Sequence, residues 1–448
     1  MNFLTLKFLI FFLSTYFIFL KAWPKWRVPF LMIVSFVFYA SSSLNYFFLL
    51  LLLSIVNYLL GRLLFNASTG RRQILALSIA LNLVVLIFFK YLAFFLNIVS
   101  FTFLPSLSLP LGISFFTFEA ISYQVDIYRG KPAAPTWLSY FLYIFYFPHL
   151  ISGPIIRFNE LYLQTRKKLS LPSYKRLRRG LVLIALGFAY KALIADSLTP
   201  LVDPVFKNPD QFNWLSIITA IFAFGNQIYF DFLGYTEIAR GLSLLFNITL
   251  PLNFDFPYRS QSITEFWRRW HISLSAWIRD YLYIPLGGSR SGKARTYFNL
   301  IAVMTIVGFW HGANWNFIFW GLYHGLLLVI ERRFPAKSHL FSRFWPFIRT
   351  YLLVNFGWLI FRSNSLASFL NMLHGLVDLQ LSALSVSSMF VLLLLVSLSF
   401  GQKYFLAGLS HLFKPFPDYA KVMLGMMIVI IWLLLQTDVV KPFIYFNF

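Results

Sequence analysis

Cysteine is absent from all 448 residues. That excludes disulfides, thiolate nucleophiles, Cys-ligated zinc and S-palmitoylation together. A covalent acyl intermediate on this chain must therefore sit on another residue type. Charge is scarce as well. Asp, Glu, Lys and Arg make up 12% of the chain, against about 25% in a soluble globular domain. No internal repeat of the kind that marks many transporters is visible, and no linker divides the sequence.

What fills the chain is apolar: 59% hydrophobic residues, with 55 Phe, 24 Tyr and 13 Trp. Water cannot solvate such a surface, so lipid must. The sequence reads as an all-α polytopic membrane protein, one integral membrane domain over residues 1–448. The net charge of +23 would suggest nucleic acid in a soluble protein. There is no soluble basic domain or binding motif here, so a nucleic-acid partner is excluded. The surplus instead marks loops retained on the cytoplasmic side.

A span needs about 20 apolar residues. Residues 3–20 lack a cleavage-like tail and lead into further apolar segments, so they read as a retained helix rather than a signal peptide. About eleven membrane segments follow in all, some of them short or re-entrant. Basic clusters at 21–27, 62–72, 129–131, 157–179, 259–295 and 332–349 sit together on the cytoplasmic side. The uncharged loop at 101–110 and the weakly charged loop at 203–213 then lie outside. The run 157–179 holds eight basic residues against the single acid Glu160. Residues 137–151 would have both ends inside, and Pro148, Gly153 and Pro154 argue for a broken or re-entrant helix there.

The chemistry gathers in two places. Residues 298–310 and 315–330 are apolar, and both outer flanks are basic. Thirteen helical residues rise about 20 Å, short of a ~30 Å hydrocarbon core. His311 is therefore expected at the tip of a hairpin within the membrane, where ionisable groups are functional candidates by default. Gly312 and Asn314 suit the turn, and Trp310, Trp315 and Asn316 would line a polar-aromatic pocket. The plain alternative is a neutral histidine that bonds a neighbouring helix. The second place runs from Glu265 to Asp280. On a continuous helix Trp267, Trp270, His271, Leu274 and Ile278 share one face, with Arg268, Arg269 and Arg279 elsewhere. This suits an interfacial helix, or equally a wall that receives an anionic ligand. His149, His324, His339, His374 and His411 read as structural. Asp126, Asp231 and Glu237 read as ion-pairing or helix-bonding acids, and no His-carboxylate metal cluster is visible.

Several stretches resemble the membrane-bound O-acyltransferase family, in the branch that acylates bacterial cell-surface polymers. They are Leu109-Pro-Leu-Gly-Ile-Ser-Phe-Phe-Thr-Phe118, Ser122-Tyr-Gln-Val-Asp-Ile-Tyr-Arg129, Phe147-Pro-His-Leu-Ile-Ser-Gly-Pro-Ile-Ile-Arg157 and Tyr229-Phe-Asp-Phe-Leu-Gly-Tyr235. To these add Phe266-Trp-Arg-Arg-Trp-His271, Asp280-Tyr-Leu-Tyr-Ile-Pro-Leu-Gly-Gly288, Phe309-Trp-His-Gly312 and the C-terminal Pro442-Phe-Ile-Tyr-Phe-Asn-Phe448. The resemblance is dense over about 105–330, which would be the acyltransferase core. It is closest to the alginate and peptidoglycan O-acetyltransferase subgroup, with the teichoic-acid D-alanyl transfer protein a cousin.

The resemblance implies a ring of tilted helices around a thin central tunnel. It implies His311 and His271 as the catalytic histidines, with no metal and no bound cofactor. The implied donor is acetyl-CoA or another acyl thioester, reached from the cytoplasm. The acceptor is a cell-surface or secreted polysaccharide beyond a bacterial inner membrane. The subgroup typically works with an extracytoplasmic esterase-like partner. Trp267, Arg268, Arg269, Trp310 and Asn316 are the candidates for holding the donor. Two alternatives stand beside this one: D-alanyl transfer from a carrier protein to teichoic acid, and a non-enzymatic transporter of lipid-linked sugars.

Overall fold

The computed structural model describes residues 3–98, 109–334, 344–377, 386–435 and 443–444, and among them every regular element is helical. Five helices are long and apolar enough to cross a membrane: Leu44–Asn66, Arg71–Ile98, Tyr174–Lys207, Trp214–Leu245 and Ser388–Leu412. Shorter apolar helices accompany them, in keeping with a multi-pass membrane protein. The expected outer loop at 101–110, His339, and the C-terminal run except Phe443 and Ile444 lie outside the described residues, wholly or nearly so. The chain divides into two compact units. The first comprises 1–188, 235–251 and 422–442; the second comprises 189–234, 252–421 and 443–448.

The first unit contains α1 (Leu44–Asn66), α2 (Arg71–Leu86), α3 (Ile113–Tyr128), α4 (Trp137–Phe145) and α5 (Tyr174–Phe188). It also holds the last turns of α6 (Trp214–Leu245). Helix starts follow the local chemistry. Ser43 caps α1 by accepting from the Tyr46 amide at 3.3 Å, and Thr136 caps α4 through the Ser139 amide at 3.3 Å.

Helix α1 is leucine-rich on its outer face and mixes small and polar residues with Leu50, Leu53 and Leu64 on its inner one. Ser54, Asn57 and Gly61 face inward, while Leu52, Leu59 and Leu63 stand exposed. Lipid, not water, is the solvent that this pattern suits. Asn57 and Asn82 exchange amide bonds of 3.1 and 2.8 Å between α1 and α2, and Gln124 of α3 donates to the Asn57 carbonyl at 2.7 Å. These three buried amides thus find partners in one another without water. Phenylalanines fill the spaces between: Phe8, Phe38 and Phe147 form a mutual cluster, and Phe246 packs edge-on against Phe12 and Phe19.

The segment at 137–151 is indeed broken. Helix α4 ends at Tyr146, whose ψ of 104° turns the chain before a short helical turn over Phe147–Leu150. The buried His149 there lies 3.2 Å from Glu119 of α3 and bonds the Tyr143 carbonyl at 3.1 Å.

The second unit contains most of α6 together with α7 (Ile263–Arg269), α8 (Ile272–Ile278), α9 (Lys293–His311), α10 (Trp315–Arg333) and α11 (Trp345–Arg362). Helix α9 begins at Lys293, earlier than the apolar pattern suggests, because Lys293 and Arg295 extend the first turn rather than forming a loop.

Helices α9 and α10 form the expected hairpin, and glycine sets its closeness. An added Cβ at Gly308 would meet the Phe317 carbonyl and come within 2.9 Å of the Gly321 backbone. One at Gly325 would lie 2.8 Å from Ile301 Cα. The two helices touch backbone to backbone, which small residues permit in lipid.

Candidate active site

The hairpin delivers His311. It is the last residue of α9, and Gly312 then extends the chain so that Asn314 can cap α10, its Oδ1 accepting the Asn316 amide at 3.2 Å. Only 4% of His311 is exposed. Its ring neighbours are Trp310 at 4.8 Å, Trp320 at 5.2 Å and Phe361 at 5.3 Å, all edge-on. Such edge-to-face contacts fix the plane of the imidazole.

Helix α11 supplies the opposite wall. Trp358 stacks near Trp320 at 5.9 Å and near Trp270 at 4.9 Å, and its Nε1 donates to Tyr258 at 3.2 Å. Asn314 donates to the Asn364 carbonyl at 3.1 Å, and Asn316 donates to the Ser363 carbonyl. The hairpin tip is thereby tied to the end of α11.

His271 differs from expectation in its backbone. The continuous helix expected over 267–278 is interrupted: α7 ends, Trp270 is extended, and His271 adopts φ +44° before α8 begins. That left-handed conformation costs a non-glycine residue about 1–2 kcal/mol. Two backbone bonds hold it, Ile272 N–H to the Asn253 carbonyl at 2.9 Å and Asp255 N–H to the Arg269 carbonyl at 3.0 Å. The shared helical face of Trp267, Trp270, His271, Leu274 and Ile278 therefore does not exist as one stripe.

Asn253 Oδ1 receives the Ser273 amide at 3.2 Å, the Ser273 hydroxyl at 2.9 Å and His271 Nδ1 at 3.1 Å. An oxygen that already accepts from an amide calls for a proton on Nδ1, which leaves Nε2 as the basic nitrogen of the neutral ring. Burial pushes the His271 pKa down to about 3. Its ring neighbour is Phe232 at 4.6 Å, which in turn packs on Phe443 at 5.2 Å.

Among the described residues the two imidazoles are not in contact. The rings of Trp270, Trp358 and Trp320 bridge from the neighbour of His271 to His311. Trp267 joins this wall through Trp320 at 5.6 Å. Arg268 is exposed. Arg269 is ion-paired to Glu265 at 2.9 Å and to Asp255 at 3.2 Å, so its charge is partly offset.

One residue read as structural from sequence adjoins the wall. His324 is buried 5.0 Å from Trp320 and 5.2 Å from Trp267. Gly357 of α11 makes room for it: a Cβ there would fall 2.7 Å from His324 Nε2. Only its position one turn beyond Trp320 hinted at this. Asn253, Trp358 and Phe361 gave no signal, because their relation to the histidines is made by the fold.

The described residues thus bring a buried histidine to a hairpin tip walled by aromatic rings in a helical membrane protein. Residues 65–373 match the pattern of the membrane-bound O-acyltransferase family, and the chain belongs to that family. It is an O-acyltransferase. It is 41% identical to a probable alginate O-acetylase AlgI of Azotobacter vinelandii, over 76% of this chain and 71% of that protein. It is 35% identical to a peptidoglycan O-acetyltransferase of Helicobacter pylori, over 80% of this chain and 75% of that protein. A teichoic acid D-alanyltransferase of Streptococcus thermophilus is more distant, 34% identical over 51% of this chain and 58% of that protein.

Proposed function

We propose that this enzyme takes an acetyl group from a thioester, acetyl-CoA, at the cytoplasmic face of a bacterial inner membrane and passes it outward for O-acetylation of a cell-surface or secreted polysaccharide. The observation that carries this reading is His311: buried, at a helix C-terminus, and set in an aromatic wall of a family member. The O-acetylase relatives match far more of the chain than the D-alanyltransferase does, which favours acetyl over D-alanyl. Membership of an acyltransferase family disfavours the transporter alternative.

His311 acts as general base. It takes the proton of the accepting hydroxyl while that oxygen attacks the thioester carbonyl. The C–S bond then breaks, its electron pair leaves on sulfur, and the imidazolium returns the proton to the thiolate. Alcohol and thioester become ester and thiol, with His311 unchanged. If the imidazole attacks first, the same atoms balance through an acyl-imidazole. Trp267 and Trp310 would wall the acyl end of the donor, and the exposed Arg268 would attract its phosphates. Arg269 and Asn316 would support these groups from their present bonds. His271, with Nε2 basic, is the second catalytic candidate.

A separate extracytoplasmic esterase-like protein would complete transfer to the polymer. In membranes supplied with labelled acetyl-CoA, His311→Gln is expected to bind donor and lose transfer. Full polymer acetylation by that variant would overturn the role of His311. Transfer only from an acyl-carrier donor would overturn the choice of donor.

A further inference from the structure

One basic surface is left unused by acyl transfer, and it lies in the first unit. The first two turns of α5 carry Lys175, Arg176 and Arg179, with no acid among them. Cations at a helix N-terminus oppose the dipole, so the sequence accepts a penalty there. Arg240, near the end of α6, faces the same space. The two helices are brought together at glycines: a Cβ on Gly180 would lie 2.9 Å from the Gly241 carbonyl, and one on Gly241 would lie 2.6 Å from the Gly180 carbonyl. One turn from that crossing, Lys175, Arg176, Arg179, Arg240 and Thr249 line a cavity of about 160 Å³. A single water needs only ~15 Å³.

The charge is only partly cancelled. The lining holds four cations and no carboxylate. Glu237, on the preceding turn of α6, accepts from Arg240 Nη1 at 2.6 and 2.7 Å and also lies within electrostatic reach of Arg179, so it offsets one of the four charges. Arg176 is held by neutral acceptors, Asn247 Oδ1 at 2.6 Å and Thr249 Oγ1. Those bonds orient its guanidinium without offsetting its charge. Asn247 itself sits at φ +63°, in the turn that places Thr249 at the cavity. A built cavity with a surplus of cations, one of them pre-oriented, matches a multiply charged phosphate group.

We infer that this cavity binds the phosphate group of a ligand, either the phosphates of a soluble nucleotide or the headgroup of an anionic lipid. None of its lining residues belongs to the His311 wall, and the inference does not depend on the acyl-transfer reading.

The test uses the full chain in nanodiscs, with two probes. One arm titrates adenosine 3′,5′-bisphosphate onto protein in phosphatidylcholine discs. The other measures retention of phosphatidylglycerol by native mass spectrometry after exchange into mixed phosphatidylcholine and phosphatidylglycerol micelles. Saturable binding is expected in at least one arm, and that arm identifies the source. The double variant Lys175→Gln/Arg179→Gln should weaken it about tenfold or more, while Lys175→Arg/Arg179→Lys keeps it. Arg72→Gln, which removes a charge elsewhere, should leave it unchanged. Binding should also fall as salt rises. Failure of both probes, or equal binding by the double variant, overturns the site. Loss of acetyl transfer with phosphate binding intact bears on His311 alone.

Discussion

Replacing Gly308 with alanine adds one methyl group where α9 and α10 touch backbone to backbone. The new Cβ would stand 2.9 Å from the Gly321 backbone, and the Phe317 carbonyl would be nearer still. Ordinary carbon contacts begin near 3.4 Å. The helices must therefore part by at least about 0.5 Å, since backbone on both sides has no rotamer to yield. Three residues later, about 4.5 Å along the axis, stands His311. A 1 Å misplacement of a reacting group costs about a hundredfold in rate, so turnover should fall about tenfold or more. Overpacking costs about 1–3 kcal/mol, which a folded protein of this size can survive. The assay is acetyl transfer per folded enzyme, with thermal unfolding in detergent as the check on folding. Gly401→Ala is the comparator, because a Cβ there meets nothing within 4 Å; its turnover should match the parent. Parental turnover in folded Gly308→Ala would refute the claim that the glycine contact sets the place of His311.

Two further outcomes follow from the second histidine. His271 has a folded pKa near 3 against an ordinary 6.5, so the unfolded chain binds its proton first. Its stabilising contribution is complete above about pH 6.5 and is lost as pH falls toward 3, with a slope of up to about 1.4 kcal/mol per unit. Melting temperatures at pH 7.5 and 5 should therefore differ more for the parent than for His271→Gln; equal acid losses in the two would refute this. Phe443→Ala removes a fully buried ring that backs Phe232, itself packed on His271. A loss of about 3 kcal/mol or more is expected, read as a lowered melting temperature, and a variant that melts with the parent would count against the packing chain.

The hairpin and its histidine were legible because their signals are local. Gly312 and Asn314 stand beside His311, and the apolar runs on either side have helical length. The break before Phe147 was legible for the same reason, through Pro148 and Gly153. His271 misled the eye: tryptophans at spacings of three and four describe a helical face, yet nothing in the residue type announces φ +44°. That conformation is imposed by Asn253, far back along the chain, through backbone and side-chain bonds. Arg269 reads as a free cation in sequence, and only folding brings Asp255 to it. The basic residues of α5 were visible as a topological signal. Their meeting with Arg240 depends on where two glycines let helices cross.

The amide pair between α1 and α2 bears on how the chain enters the bilayer. Asn57 and Asn82 each satisfy the other inside apolar helices. A helix that left the translocon alone would carry an unpaired amide into hydrocarbon, at a cost its Leu-rich outer face only partly offsets. Entering as a hairpin, the two helices satisfy these amides against each other. The two helices therefore form a natural unit of insertion, and the order of synthesis supplies its two halves in succession.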